Sequence, residues 1–373
     1  MKQNLKNESH RRTAGLRSNV RRSILFAVLP GSLVLTAIVW NAGPALSAPT
    51  TTFTAYSHTG VVSPRGLAAA GKYVWLTDLT SSGGGAHVVQ IDAATGDKRI
   101  VASTFVSDPS QVVASRRYAW VMNAQLSNAQ AWSLLRINAT TLAVQRIKIP
   151  GAGNAGIGYT QGPILLAGHY VWIPGSRGIL RVNTTTLKAS TITSHLILGP
   201  LLGVAADAHS LWLNAPTYHE PSQRFFVRVS LATGVVTKVN FPGVKGGFPI
   251  GDDGTNLWVA NANGIQRVDP ATDQVTTVVV PKAAQITFPV AGPSAIANGA
   301  IYFCAGLPAL HHTGVVRIGI SSSLASVVSS PLLYYPSIVA TSNGVLWVVN
   351  APYGNSTSVK LPVLVRVSWP SQA

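Results

Sequence analysis

The chain has 373 residues, 47% of them hydrophobic, with 28 Lys/Arg against 11 Asp/Glu and a formal net charge of +17. That apolar content excludes a disordered chain, and 10% charged residues beside 34 Gly and 23 Pro exclude long solvated helices in favour of many short strands and tight turns. A single cysteine, Cys304, excludes an internal disulfide and a thiolate metal cluster.

Residues 1–50 are set apart. Lys2, Lys6, Arg11, Arg12, Arg17, Arg21 and Arg22 stand against one Glu8, and an uncharged, mostly apolar stretch follows from Ser23 to Trp40. This order reads as an export signal or membrane anchor with a short linker. Arg21-Arg22-Ser23-Ile24-Leu25 resembles a twin-arginine signal, and Ala45-Leu46-Ser47-Ala48 offers small residues for cleavage. A stretch of that length lies at the lower limit for crossing a bilayer, and Pro30-Gly31 weakens it as a helix. In either form the segment contacts the membrane, and residues 51–373 are expected outside the cytoplasm, secreted or membrane-anchored. Without the leader the remainder still carries a charge of +11. An anionic ligand or protein partner fits that field, whereas nucleic acid is not expected in the absence of a dense Lys/Arg run or a reader motif.

From residue 51 onward the chain repeats. Trp75, Trp120, Trp172, Trp212, Trp258, Tyr302 and Trp347 recur in apolar strands at steps of 45, 52, 40, 46, 44 and 45 residues. A period of about 40–50 residues built from short strands marks a radial array. In the clearest unit, strands begin near Pro249, Leu257, Ile265 and Val275, four per repeat. Between the third and fourth strands the segments starting at Asp92, Asn138, Asn183, Ser230 and Asp269 repeat one turn chemistry, so these oxygen-bearing residues read as turn formers. The last repeat has strands near Ile338, Leu346 and Leu364 and no fourth. Thr51–Tyr56, rich in β-branched and aromatic residues, supplies it. The expected fold is an all-β, seven-bladed β-propeller of four-stranded blades over 51–373, closed by an N-terminal strand and monomeric.

Leu257-Trp258-Val259-Ala260-Asn261 followed by Arg267-Val268-Asp269-Pro270-Ala271-Thr272 resembles YVTN and NHL-type propellers and the virginiamycin B lyase-like (streptogramin lyase) group, over about residues 51–368. For the lyases the resemblance implies a Trp-Phe-Thr-Glu signature at the end of the second strand and an Mg²⁺ ion with acidic and His partners. The corresponding fourth positions here are Asp78, Asn123, Gly175, Ala215, Asn261, Ala305 and Asn350, and only Trp75-Leu76-Thr77-Asp78 comes near. Glu220 is the one Glu after the leader, so no catalytic residue and no cofactor are predicted, and Mg²⁺ enters only with a lyase-like alternative.

Connections at 78–87, 123–133, 214–225, 304–314 and 350–363, and at 149–163 and 280–293, are long and emerge on one face, where variation leaves the blades undisturbed. They are expected to carry Trp132, Tyr159, Tyr218, His219, Glu220, His311, His312 and Tyr353, beside the rim positions Asp78, Asn123, Asn261 and Asn350, as a surface for a ligand or protein partner. Each rim Asn also suits capping its own turn, and His219-Glu220 and His311-His312 also suit solvated loops, the commoner use of such residues. Arg136, Arg181, Arg228, Arg267, Arg317 and Arg366, with Gln90 in the first repeat, occupy one place in the third strand. They read either as anchors to a neighbouring blade or as a positive ring for a polyanion. The reading is therefore a non-catalytic exported binding propeller, with a lyase-like or metal-assisted enzyme and a polyanion-binding surface module as alternatives.

Overall fold

The computed structural model describes residues 27–29, 32–35, 51–56, 59, 61–78, 86–123, 132–149, 163–197, 203–215, 225–244, 247–261, 264–280, 288–289, 294–307, 312–350 and 363–369. Seven antiparallel sheets form a ring. Blade 1 comprises Pro64–Ala70, Tyr73–Asp78, His87–Asp92 and Lys98–Ile100, and blade 2 Pro109–Ala114, Tyr118–Asn123, Ser133–Asn138 and Val144–Lys148. Blades 3, 4 and 5 begin with Leu165–Ala167, Val204–Ala206 and Phe248–Asp252 and have the same order, first strand to fourth.

Blade 7 is closed as expected: Thr52–Tyr56 pairs with Leu364–Ser368, in the register Thr52↔Ser368 to Tyr56↔Leu364, outside Val345–Asn350 and Pro336–Ser342. Ala27–Leu29 and Ser32–Leu35 pair with each other, and the second lies along Thr52–Tyr56. Among the described residues no helix is long and apolar enough to cross a membrane.

Second strands run almost wholly buried, as in Tyr73–Asp78, because each blade is covered on both sides by its neighbours. Each of the seven hydrophobic clusters spans one blade–blade boundary and contains the repeated aromatic of the preceding blade: Trp75 between blades 1 and 2, Trp120 between 2 and 3, and so on to Trp347 between 7 and 1. The periodic ring is thus the wedge between blades. Ser342 Oγ and Asn343 Nδ2 donate to Gly71 O across the last boundary, completing the ring in hydrogen bonds as well as in packing.

Blade 6 differs from the expectation. The supposed long connection at 304–314 is mostly ladder: Ala300–Leu307 and His312–Gly319 stay paired to Leu307↔His312, leaving only 308–311 between them. Leu307 and Ala305 are buried, so apolar packing carries the hairpin through Gly306, inside the span expected as a loop.

Candidate functional site

The ring has two chemically different ends. At one, second strands hand over to third strands and each blade receives the connection from its predecessor; at the other lie the tight first-to-second and third-to-fourth turns.

At the long-loop end, the last residue of the second strand, or in blade 4 the one before it, reaches the loop that leads into its own blade. Asp78 is fully buried, and its carboxylate accepts from the amides of Val62 (3.1 Å) and Ser63 (2.6 Å). Asn123 Oδ1 accepts from Ser107 and Asp108 N, both at 3.1 Å, while Asn123 Nδ2 donates to Ser107 Oγ. Asn214 Oδ1 accepts from Gly203 N at 2.8 Å, and Asn350 Nδ2 donates to Leu332 O at 2.8 Å. Backbone groups that leave water on entering a blade therefore find a partner there. In blades 1, 2 and 7 a proline sits directly opposite, in the pairs Pro64↔Asp78, Pro109↔Asn123 and Pro336↔Asn350, with a bulge immediately after. A proline lacks an N–H for the ladder and belongs at such a bulge.

Blade 1 adds a titratable pair at this rim. His87 lies opposite Asp78 in the ladder, with Nε2 3.4 Å from Asp78 Oδ2, and Thr77 Oγ1 donates to Ser110 O of blade 2 at 2.5 Å.

Of the other residues expected on this face, Trp132 packs instead into the core between blades 2 and 3 with Trp120, Ile164 and Val171, because it directly precedes the third strand. Asn261 is half-buried and donates to Gln266 Oε1 at 2.8 Å. His312 begins a strand rather than lying in a loop. Tyr159, Tyr218, His219, Glu220, His311 and Tyr353 lie outside the described residues. Among the described residues no three His, Cys, Asp or Glu side chains gather as metal ligands. Cys304 is buried, and burial pushes its thiol far above the usual range, away from a nucleophilic thiolate.

At the short-turn end the repeat is more regular. Asp92, Asn138 and Asn183 Oδ1 each accept from two backbone amides of their own turn, as in Thr185 N and Thr186 N to Asn183 at 2.9 and 2.8 Å. The fifth turn residue takes a positive φ: Gly96, Gly234, Leu142, Leu187 and Asp273. The Ala271 amide holds the Asp269 carboxyl below its ordinary range. Third-to-fourth turns are tied to first-to-second turns by Ala93 N→Lys72 O, Ala139 N→Arg117 O, Thr184 N→His169 O and Leu231 N→His209 O, at 2.8–2.9 Å.

Here too the repeated arginines find their roles. Each stands cross-strand from the repeated aromatic, as in Trp120↔Arg136, Trp172↔Arg181 and Trp347↔Arg366. In blade 1 the position is Gln90, whose Nε2 donates to Ala139 O of blade 2 at 2.7 Å, and Arg99 of the fourth strand donates to Gln90 Oε1 and to Ala139 and Thr140 O. In blade 2 the same pair is exchanged: Arg136 on the third strand donates to Gln145 on the fourth at 2.6 Å. Arg136 also lies over Tyr118 (4.7 Å) and Arg181 over Tyr170 (4.8 Å).

No protein-family model and no curated protein matches this chain. Solved structures do. The β-propeller domain of the Trilobed protease from Pyrococcus furiosus superposes with a TM-score of 0.56 at 9% identity, covering 84% of this chain and 95% of that one. PorZ, a surface component of the type-IX secretion system of Porphyromonas gingivalis, gives 0.55 at 10% over 77% of this chain and 35% of its own. A Mycobacterium tuberculosis puromycin-hydrolyzing peptidase gives 0.56 at 12% over 79% and 49%. This chain thus spans about a third to a half of the latter two. At such identities the likeness establishes the seven-bladed propeller alone. The Pyrococcus domain is described as having an open velcro topology, whereas here Thr52–Tyr56 closes the ring.

Proposed function

We propose that this chain is an exported, non-catalytic propeller that binds a ligand or protein partner through its long-loop face, a relative in kind of the YVTN, NHL and lyase-like propellers. The observation that carries this reading is the rim of Asp78, Asn123, Asn214 and Asn350. Their polar groups anchor incoming loops, and the second-to-third connections beyond them vary in length and composition without disturbing the blades. PorZ, a bacterial surface component, and the peptidase are precedents for the fold at a cell surface and within hydrolases, and the scarcity of carboxylates after the leader favours the former.

The test uses the parent protein and two variants, Tyr218→Ala/His219→Ala and Tyr353→Ala, on arrays of neutral oligosaccharides and peptides. Binding by the parent that is lost in either variant at unchanged melting temperature supports the reading; binding retained in both overturns the choice of face. A melting temperature that rises with Mg²⁺, with streptogramin turnover that disappears in His219→Ala, would favour the lyase-like enzyme instead. Cell fractionation after Arg21→Lys/Arg22→Lys tests export, with the propeller expected to accumulate in the cytoplasm.

A further inference from the structure

Charge is not spread evenly round the ring. Residues 64–193, blades 1–3, hold twelve Lys/Arg against four Asp, whereas the rest of the propeller holds nine against six Asp/Glu, a balance of +8 against +3. Two of those four aspartates, Asp78 and Asp108, are buried. Asp92 is occupied by its own turn and lies 3.9 Å from Lys72 Nζ, and Asp97 accepts from Thr95 Oγ1. A second asymmetry coincides with the first. Two residues before the repeated aromatic stand Tyr73, Tyr118 and Tyr170 in blades 1–3, but Ser210, Asn256, Ala300 and Val345 in blades 4–7. Each tyrosine ring carries a cation: Lys72 and Arg99 at 5.0 and 5.8 Å from Tyr73, Arg117 and Arg136 at 5.8 and 4.7 Å from Tyr118, and Arg181 at 4.8 Å from Tyr170. Ring and cation hold one another in place, which lowers the ordering cost of meeting an anion.

The basic groups turn a corner of the molecule. Lys72, Arg116 and Arg117 are exposed in the short first-to-second turns. Arg99 and Arg146 are exposed on the outer strands, at the mouth of the cleft between blades 1 and 2, while Lys148 pairs with Ser133 at the long-loop end and lies outside this surface. Alternation sets this direction: Val101 and Val144 pack into the blade 1–2 cluster and Ile147 into the blade 2–3 cluster, so Arg99 looks forward and Arg146 looks back into one cleft. From this we infer that the short-turn edge of blades 1–3 is a docking surface for a flexible acidic polysaccharide. A bilayer presents one plane and cannot follow cations round an edge. Single-stranded nucleic acid requires free aromatic faces, and the tyrosine faces here carry cations. A linear polymer of carboxylated sugars can bend over the edge and meet both rows. This surface lies at the opposite end from the long-loop face and does not depend on that reading.

Affinity electrophoresis and titration with polygalacturonate test the assignment, with dextran, DNA and phosphatidylglycerol vesicles in parallel. The parent is expected to bind polygalacturonate, to ignore dextran and to lose affinity by about tenfold or more as NaCl rises from about 20 to about 200 mM. Lys72→Glu/Arg116→Glu/Arg117→Glu/Arg146→Glu should weaken binding at least about tenfold, while Lys238→Glu on blade 4 leaves it within about twofold. Undiminished binding by the fourfold variant, no binding by the parent at low salt, or tighter binding to DNA or vesicles than to polygalacturonate would each overturn it. If the fourfold variant fails to fold, the pairs Arg116→Glu/Arg117→Glu and Lys72→Glu/Arg146→Glu separately decide, each expected to weaken binding by about threefold or more.

Discussion

The two ends of the ring solve the same problem under different conditions. At the long-loop end Asp78 and Asn123 accept backbone amides while almost wholly removed from water; at the short-turn end Asn138 and Asn183 accept amides in the same way but in exposed turns. Solvent can replace the second kind of acceptor and not the first. The same side-chain chemistry is therefore a structural necessity at one end and a local preference at the other, and burial rather than hydrogen-bond count separates them.

Between the ends, removing a wedge should exceed either effect. Trp258→Ala empties a fully buried site between blades 5 and 6 and is expected to cost about 3–5 kcal/mol in urea unfolding. Asp78→Ala leaves the amides of Val62 and Ser63 without their acceptor, an expected loss of about 2–3 kcal/mol. Asp78→Asn should recover much of it, since Asn123 does the same work in blade 2. Asn138→Ala should cost only about 0.5–1 kcal/mol, because water can reach Thr140 and Thr141 N; a loss equal to that of Asp78→Ala would break the comparison.

The smallest effect is electrostatic and lies at the short-turn end of blade 5. Burial foremost, with the nearby Asp207 and Asp253 carboxylates, raises the Asp252 carboxyl from 3.8 to about 6, against the Gly254 amide that donates to it. The folded chain therefore holds a proton that the unfolded chain has already released between about pH 4 and about pH 6. Stability is expected to fall as pH rises through that window, and Asp252→Asn should flatten the dependence and stabilise the protein at neutral pH, as read from urea midpoints at several pH values.

Much of this architecture is legible in the sequence because the wedge aromatics and the turn oxygens are the most demanding positions of the fold, so every repeat shows the aromatic and five show the turn oxygen. The closing strand at Thr52–Tyr56 follows from counting strands. Other features require register. The exchange of Gln90–Arg99 for Arg136–Gln145 is visible only when third and fourth strands are aligned, since either residue alone breaks the pattern. Pro64, Pro109 and Pro336 each precede their rim partner by fourteen residues, a signal present in the sequence that the aromatic period overshadows. Trp132 and the 304–314 part of the blade 6 hairpin read as loop because polar or glycine neighbours suggest exposure, whereas tertiary packing draws Trp132 into the core and the ladder runs on to Leu307↔His312. The basic edge is invisible to a count of charge, because it depends on which blades stand side by side.

The pairing of Thr52–Tyr56 with Leu364–Ser368 also sets an order in time. Thr52–Tyr56, made before any other strand of the seven blades, must wait for more than three hundred residues to follow before its partner exists. Six blades can form from neighbouring segments as they are made, but the seventh brings together stretches far apart in the sequence, and such distant closure is slow. Ring completion is accordingly the last event of folding, and until it occurs the faces of blades 6 and 1 stand open to any chaperone or protease nearby.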